Sequence, residues 1–323
     1  MITTKPYSIT YSRFRFTLRA EEDARLPAYL GSTLRGAMGR AFRRGSCLSL
    51  RSHCSDCMFS SRCAYAYIFE TSQASTINKG AGVEHFYIPH PFVIEPPLDG
   101  KTIFKAGEEL TFDLLLIGSG LHFFPFFIAA FAQAAAEGLG AGRHRFRLEN
   151  VAQWLDDELV LLWNGGNRLL GNPVAQVLTN DLEAGIDCRE ITLHLQTPLR
   201  IKERGHLVNE ISFPLLIRSI FRRLDLLGRV HGDGPLILPY TDYLQQAAAV
   251  SAVPEANSLY WTEWRRYSNR QKVHMNMGGY CGSIRYQGDL GPFLPYLKMA
   301  AVLHLGKGTV YGLGKIAIEV TER

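Results

Sequence analysis

The sequence predicts an α+β protein built from two tandem β-α-β-β-α-β units. Three observations predict it. The first is a repeated helix signature: Phe123, Phe124, Pro125, Phe126 and Phe127 open an apolar helix that ends at Leu139, Gly140, Ala141 and Gly142, while Phe293, Leu294, Pro295, Tyr296 and Leu297 open another that ends at Leu305, Gly306, Lys307 and Gly308. The second helix is shorter by about one turn, which preserves its facing. The second observation is that each half begins with a strand followed by an arginine-bearing helix. The third is a run of alternating strands between the two helices of each half, the split pattern of a ferredoxin-like unit.

The elements follow in order. Residues 13–18 alternate apolar and polar, as a half-buried strand does. Residues 27–44 form a helix holding Leu34, Arg35, Phe42, Arg43 and Arg44. Strands are expected at 86–94 and 110–117, then the helix from Phe123, then a basic strand at 143–148. Residues 159–170 read as a hairpin turning at Asn164, Gly165, Gly166 and Asn167, which extends the first sheet. In the second half, a strand at 191–195 precedes a helix at 213–227 with Ile217, Arg218, Phe221, Arg222 and Arg223. Strands at 259–266 and 280–286, the helix from Phe293 and a terminal strand at 316–320 complete it. The first domain is therefore set at 1–170, a linker at 171–187 and the second domain at 188–323. A cysteine-rich insertion occupies about 45–65 of the first domain.

Bulk composition narrows the function. The chain has 323 residues, 46% of them hydrophobic, which suits two cores. The net charge of +5 is mild, but it is clustered: Arg35, Arg40, Arg43 and Arg44; Arg143, Arg145 and Arg147; Arg218, Arg222 and Arg223; Arg265, Arg266, Arg270 and Lys272. Such clusters suit a polyanion. The most apolar stretch, 121–136, is too short to span a bilayer and includes Gln133. The first residues lack a signal-peptide core. A cytoplasmic protein with no membrane partner is the expectation.

Residues 304–320, HLGKGTVYGLGKIAIEV, carry the densest signal. Gly306, Gly308, Gly312 and Gly314 surround Lys307 and Lys315. Glycines admit positive φ and close backbone approach. Successive amides in such a loop make an anion-binding concavity, and lysines add charge. A flexible connection before a terminal strand is the competing reading. The order helix, loop, strand, with no Ser or Thr after the lysine, excludes a nucleotide P-loop.

Cys47, Cys54, Cys57 and Cys63 fall within 17 residues, with a Cys-x2-Cys pair at the centre. Four thiolates suit tetrahedral zinc, which would staple an insertion with little core of its own. An iron–sulfur cluster uses the same ligands. Disulfides are the weaker alternative in a reducing compartment. Cys188 and Cys281 are isolated and expected to be buried.

Four-stranded sheets of this kind commonly bind single-stranded RNA, and the ordered motifs of the second half carry a resemblance that agrees. WRRYSNRQ (264–271), GGYCGSI (278–284), GDL (288–290) and HLGKGTVYGLG (304–314) resemble the C-terminal domain of the precursor CRISPR RNA processing endoribonucleases, within the RAMP superfamily of CRISPR-associated proteins. The resemblance implies a protein that binds CRISPR repeat RNA and cuts it without metal. The 2′-hydroxyl beside the scissile phosphate attacks in line, the 5′-oxygen is protonated, and a 2′,3′-cyclic phosphate remains. Such chemistry needs a base, an acid and positive charge. Other CRISPR-associated subunits are implied partners. A non-catalytic RNA-binding RAMP subunit is the alternative.

The family places its catalytic histidine or tyrosine on or just after the first helix. Here residues 27–44 contain no histidine and offer Tyr29 and Arg35. The nearest histidine, His53, lies among the cysteines and is either catalytic, a metal ligand or simply exposed. His304 either points at the phosphate or packs beneath the loop. His274 is a weaker candidate. Lys307, with Gly306, Gly308, Gly312 and Gly314, is the favoured RNA contact, joined by Arg266, Arg270 and Arg143. Tyr267 and Tyr311 are stacking candidates.

Overall fold

The computed structural model describes residues 6–49, 53–70, 88–181, 187–268 and 273–321; for 265–268 and 273–274 it describes the backbone alone. The chain forms two compact units, Thr10–Gln176 and Met1–Ile9 with Val177–Arg323.

In the first unit, strand β1 (Ser8–Ala20) leads to helix α1 (Gly31–Ser46), a short helix α2 (Ala64–Phe69), strands β2 (Phe92–Glu95) and β3 (Glu109–Ile117), helix α3 (Phe124–Glu137), and strands β4 (Phe146–Leu155) and β5 (Glu158–Trp163). The sheet runs β2-β3-β1-β4-β5, antiparallel throughout. Its first four strands have the ferredoxin-like arrangement, with the last strand beside the first and the third beside the second. Strand alternation decides which face is buried. Phe14, Phe16 and Leu18 point into the core, where Phe14 stacks on Phe124 at 4.1 Å and Phe16 meets Phe112 and Phe131 at 5.3 and 4.9 Å. The opposite face carries Arg15, paired with Asp113 at 2.8 Å and lying 4.6 Å over the Trp154 ring.

One expectation needs correcting here. The turn at Gly118–Phe123 runs straight into α3, and the combined helix Gly118–Glu137 is long and apolar enough to cross a membrane by length and composition. Its apolarity has a core explanation: Phe124, Phe127, Ile128, Phe131 and Ala135 are buried against α1 and the sheet.

The second unit repeats the plan. Strand β6 (Gln176–Thr179) comes first; then come β7 (Glu190–Leu199), α4 (Phe213–His231), α5 (Tyr240–Ala248), β8 (Tyr260–Thr262), β9 (Arg265–Ser268), β10 (Val273–Asn276), β11 (Gly279–Gln287), α6 (Leu294–Leu303) and β12 (Ile316–Val320). The sheet order is β12-β7-β11, with β8 on the outer side of β11. This is the same ferredoxin-like order, so the α+β tandem architecture is as the sequence predicts. Ile191, Leu193, Leu195, Ile284 and Tyr286 face the helices, where Tyr286 and Phe293 flank Phe213 at 5.1 Å each. The unit also claims the start of the chain. Tyr7 donates its phenol to the Leu224 carbonyl at 2.6 Å and its amide to Asn180 Oδ1 at 2.7 Å.

The echo between halves is structural. Both α3 and α6 begin after a 3-10 turn and carry proline in their first turn. Both end on a positive φ, Gly138 at 97° and His304 at 59°. Leu139 and His144 exchange two backbone hydrogen bonds across the first loop. In the second, the Leu305 amide donates to the Gly314 carbonyl at 2.9 Å. The glycine loop is thus the same closure lengthened by four residues.

Several boundaries differ from the sequence reading. The helix expected from residue 27 starts at Gly31, so Tyr29 precedes it. The strand expected at 259–266 divides into β8 and β9, and β9 forms its own hairpin with β10. The hairpin at 159–170 is replaced by β5 pairing with β4, with the Leu170 amide returning to the Leu162 carbonyl at 2.8 Å. Helices α2 and α5 were not anticipated.

Candidate nucleic-acid interface

The loop between α6 and β12 is rigid by construction. Gly306, Gly308, Gly312 and Gly314 all have φ between 69° and 84°, a region that side chains disfavour. At Gly314 a Cβ would lie 1.7 Å from the Leu305 carbonyl oxygen. The loop's amides turn inward: Lys307 donates to Arg200 O, Tyr311 to Gly308 O, Gly312 to Thr309 O, Gly314 to Pro198 O and Lys315 to Thr197 Oγ1. Thr197 in turn donates to the Gly312 carbonyl at 2.8 Å. These amides are engaged by the protein itself. The glycines shape the loop for close packing, and the loop presents a cationic side chain to an anion.

That side chain is Lys307. It is half-buried, and burial pushes its ammonium below the usual lysine range; nearby Arg222 and Lys202 push it further down. Lys307 is therefore within electrostatic reach of two further cations, Arg222 on α4 and Lys202 on the short Lys202–Glu203 strand. Like charges held together on a folded surface favour an anion between them. The other arginines of α4 have different tasks. Arg218 pairs with Glu203 at 2.8 Å, and Arg223 caps α6 by donating from Nε and a terminal nitrogen to the Leu303 carbonyl at 3.0 and 2.6 Å. The cluster of Arg218, Arg222 and Arg223 was visible in sequence; Lys202 carried no signal there.

His304 does not reach this surface. It is fully buried, and its Nδ1 lies 3.1 Å from the Leu313 carbonyl oxygen. Of the two sequence readings, the structure places it beneath the loop. Tyr311 is half-buried and lies within the loop's 3-10 turn.

The opposite face of the second sheet is polar. His194 sits between Ser283 (2.8 Å) and Glu319 (3.2 Å), while Glu190 receives the Gln287 amide at 2.5 Å and lies 3.6 Å from Arg285. This network occupies the face on which RNA-binding sheets usually display aromatic rings. Arg266 and Tyr267 lie on β9, paired with Met275 and His274 of β10. Arg270 lies outside the described residues, and the side chains of Arg266, Tyr267 and His274 are not described.

In the first unit, Arg35, Gly39 and Arg43 follow one another at four-residue steps along α1, which sets them on one face. The Arg35 guanidinium lies 5.1 Å over the Phe69 ring and that of Arg43 5.6 Å over the Tyr65 ring, while Tyr65 and Phe69 stack at 4.9 Å. Gly39 leaves room for Phe69, whose ring would stand 3.4 Å from a Cβ there. The result is a guanidinium-aromatic strip on α1 and α2. Tyr29 is half-buried ahead of α1. His53 is exposed and caps the 3-10 turn Cys54–Asp56 through its backbone, its carbonyl accepting from the Asp56 amide at 3.1 Å. Arg143 is exposed at φ 50° in the loop after α3.

The four clustered cysteines are half-exposed free thiols. Burial raises the Cys54 thiol, with smaller contributions from Glu70, Cys47 and Cys63. Among the described residues, no group of three or more His, Cys, Asp or Glu side chains is arranged to hold a metal ion. As folded here, the thiols do not fit a tetrahedral zinc site, and the case for zinc or an iron–sulfur cluster rests on their spacing. Cys188 and Cys281 are buried, as expected.

Two ferredoxin-like units with a cationic glycine loop on the second define a RAMP-type protein. Residues 9–175 match an N-terminal domain family (AF_1859_N), and residues 193–316 match the family of the CRISPR-associated endoribonuclease Cas6. Over residues 193–316 the second unit is thus that of the CRISPR-associated Cas6 endoribonucleases. Among solved structures, a Cas6 (TTHB231) product complex is similar over 96% of this chain and 99% of that one, at 15% identity and a TM-score of 0.52. Thermus thermophilus Cas6 itself gives 14% identity and a TM-score of 0.51 over the same shares. A partial Cas6-RT-Cas1–Cas2 complex matches 99% of this chain and 47% of that one, at 13% identity and a TM-score of 0.57. These likenesses are of fold. No curated protein matches the chain.

Proposed function

We propose that this protein binds CRISPR repeat RNA and cuts it once by attack of the 2′-hydroxyl on the adjacent phosphate. The observation that supports the binding half is the rigid glycine loop, which presents the half-buried Lys307 from a backbone clamped to the Arg200 carbonyl. A phosphate beside Lys307 is attracted by its charge and by the nearby Arg222 and Lys202. The cutting half rests on the Cas6 match of residues 193–316 and on the α1 strip. Arg35, fixed over Phe69, supplies charge for the phosphorane-like transition state, which is the largest single term in many such reactions. The 2′-oxygen–phosphorus bond forms, the bond to the 5′-oxygen breaks, and a 2′,3′-cyclic phosphate remains. The nucleophile's proton leaves to solvent and the leaving oxygen takes one from it. No metal is required in this scheme.

A second reading has an observation behind it. Helix α1 contains no histidine, His304 is buried, and His53 is an exposed cap on a 3-10 turn. A subunit that holds RNA for a larger CRISPR ribonucleoprotein fits these facts. One assay separates the two readings: incubation with the cognate repeat RNA in EDTA, repeated with a 2′-deoxy residue at the cut site. Cleavage of the first and not the second is expected. Tight binding without cleavage would select the second reading, and cleavage of the deoxy substrate would overturn the mechanism.

A further inference from the structure

We propose that Trp261 is a stacking platform for an unpaired nucleobase of the bound RNA, in the same unit as the Lys307 phosphate site; this rests on the RNA-binding reading above. Trp261 lies on β8, on the outer side of β11, and is 40% exposed. Large aromatic side chains left in solvent are normally mobile, yet this one is held by two contacts. Its indole Nε1–H donates to Glu263 Oε1 at 2.6 Å. Tyr280, directly across the strand pair, meets the indole edge-to-face at 5.2 Å and 87°. Tyr280 is anchored in turn, its hydroxyl donating to the Asn209 carbonyl at 2.6 Å. At position 278 a Cβ would lie 3.0 Å from the indole nitrogen, so glycine leaves the ring its place.

Two residues, Gly278 and Arg200, link the platform to the glycine loop. Arg200 donates from its guanidinium to the Gly278 carbonyl at 2.7 Å, and its own carbonyl accepts from the Lys307 amide at 2.9 Å. A ring with an exposed surface, a fixed orientation and a cationic phosphate site in the same unit has the two components of single-strand recognition, a backbone-tracking charge and a π-surface for bases. The ordering cost of the ring is met in the free protein, so contact with a base is gained without it.

The test compares the wild-type chain with Trp261→Ala and Trp261→Tyr, measuring affinity for the single-stranded repeat RNA, for that RNA annealed to its complement, and for repeats carrying one abasic nucleotide at each position in turn. Trp261→Ala is expected to weaken single-strand binding roughly 5- to 150-fold, the range for loss of one stacked base. Binding of the annealed duplex stays unchanged, and Trp261→Tyr restores single-strand binding to within about threefold. Since an indole displaces no counterions, the salt dependence of binding keeps its slope. One abasic position should weaken wild type and leave Trp261→Ala unaffected. Equal affinity of Trp261→Ala and wild type for the single strand overturns the platform and would leave the exposed ring to a protein partner. So does an equal loss on single and double strands. Failure of the wild-type chain to bind any of these RNAs overturns the RNA-binding reading itself.

Discussion

The backbone amide of Lys307 donates to the carbonyl of Arg200 at 2.9 Å. Gly306, one residue earlier, passes so close to that carbonyl that a Cβ would lie 2.5 Å from its oxygen. The glycine loop is therefore clamped to the end of β7, and the Lys307 side chain is presented from a fixed base. Arg200 itself is half-buried, and burial pushes its guanidinium down from the usual arginine value. Two cationic residues, one hydrogen bond apart along the backbone, are both held in a setting that penalises charge. Arg200 is partly compensated, by Glu263 and by the Gly278 carbonyl, and an anion beside Lys307 would lower the cost of its charge.

Lys307→Ala should accordingly weaken RNA binding and lower the slope of log affinity against log salt by about one phosphate contact, roughly 0.7 to 0.9. An unchanged slope means that the lysine does not touch the backbone of the RNA. The same depressed pKa makes a stability prediction of the opposite sense. A lysine whose folded pKa lies below its ordinary value of 10.5 binds fewer protons in the folded state than in the unfolded one. Stability then rises with pH between the folded value and the ordinary one. Below that window the full penalty is present. Lys307→Met should therefore melt higher than wild type at pH 7, with the difference shrinking as pH approaches 10.5. Melting curves across this range, with no RNA present, test it.

Gly314 is the most constrained position of the loop. Its φ is 69°, and a side chain would begin 1.7 Å from the Leu305 carbonyl oxygen. That carbonyl cannot retreat without breaking the closure in which the Leu305 amide donates to the Gly314 carbonyl. Gly314→Ala should cost about 3 kcal/mol or more, in the range of severe backbone and packing lesions. Gly45, with nothing within 4 Å of its Cβ position, is the control: Gly45→Ala, near the end of α1, should be neutral or mildly stabilising. Chemical denaturation of both variants checks the contrast.

His304→Ala separates a core residue from a catalytic one. The side chain is buried, and removing it leaves a cavity and takes a partner from the Leu313 carbonyl oxygen 3.1 Å away. A loss of about 1–3 kcal/mol is expected. At a temperature where the variant is folded, single-turnover cleavage and its pH profile should match wild type. A cleavage rate reduced 100-fold in a folded variant would restore His304 to the active site.

The unequal legibility of fold and site follows from what each depends on. Strand alternation in β1 and the proline-led helices α3 and α6 are local signals, and they specify the ferredoxin-like order because each element has one face to bury. The repeat helped further, since a pattern read twice is harder to misplace. The site depends on contacts between residues far apart in sequence. Nothing near Lys202 or Trp261 announces that Arg200, at the end of β7, bonds both to the glycine loop and to Gly278. The glycines of 306–314 were readable as a close-packed loop, yet whether its amides face outward or inward is decided by carbonyls at Pro198 and Arg200. The spacing of Cys47, Cys54, Cys57 and Cys63 is a local signal too, but a metal site needs all four thiols to converge, and spacing alone does not ensure that.

Arg35 carries the last prediction. Its guanidinium lies over Phe69, and Arg43, two turns along the same helix face, lies over Tyr65. Two arginines held against aromatic rings on a helix without histidine suit stabilisation of a dianionic transition state better than proton transfer, since guanidinium keeps its charge throughout the working pH range. Arg35→Ala should lower the single-turnover cleavage rate by about 100- to 1000-fold, the usual loss on removing one transition-state donor, with RNA affinity changed much less than by Lys307→Ala. Arg35→Lys should recover only part of the rate, because an ammonium cannot reproduce the planar, multi-donor geometry. The pH dependence of the residual rate should keep its shape, as no titrating group has been removed. A shift in that profile on Arg35→Ala, or a loss of binding equal to the loss of rate, would assign Arg35 to positioning the RNA instead of to the chemical step.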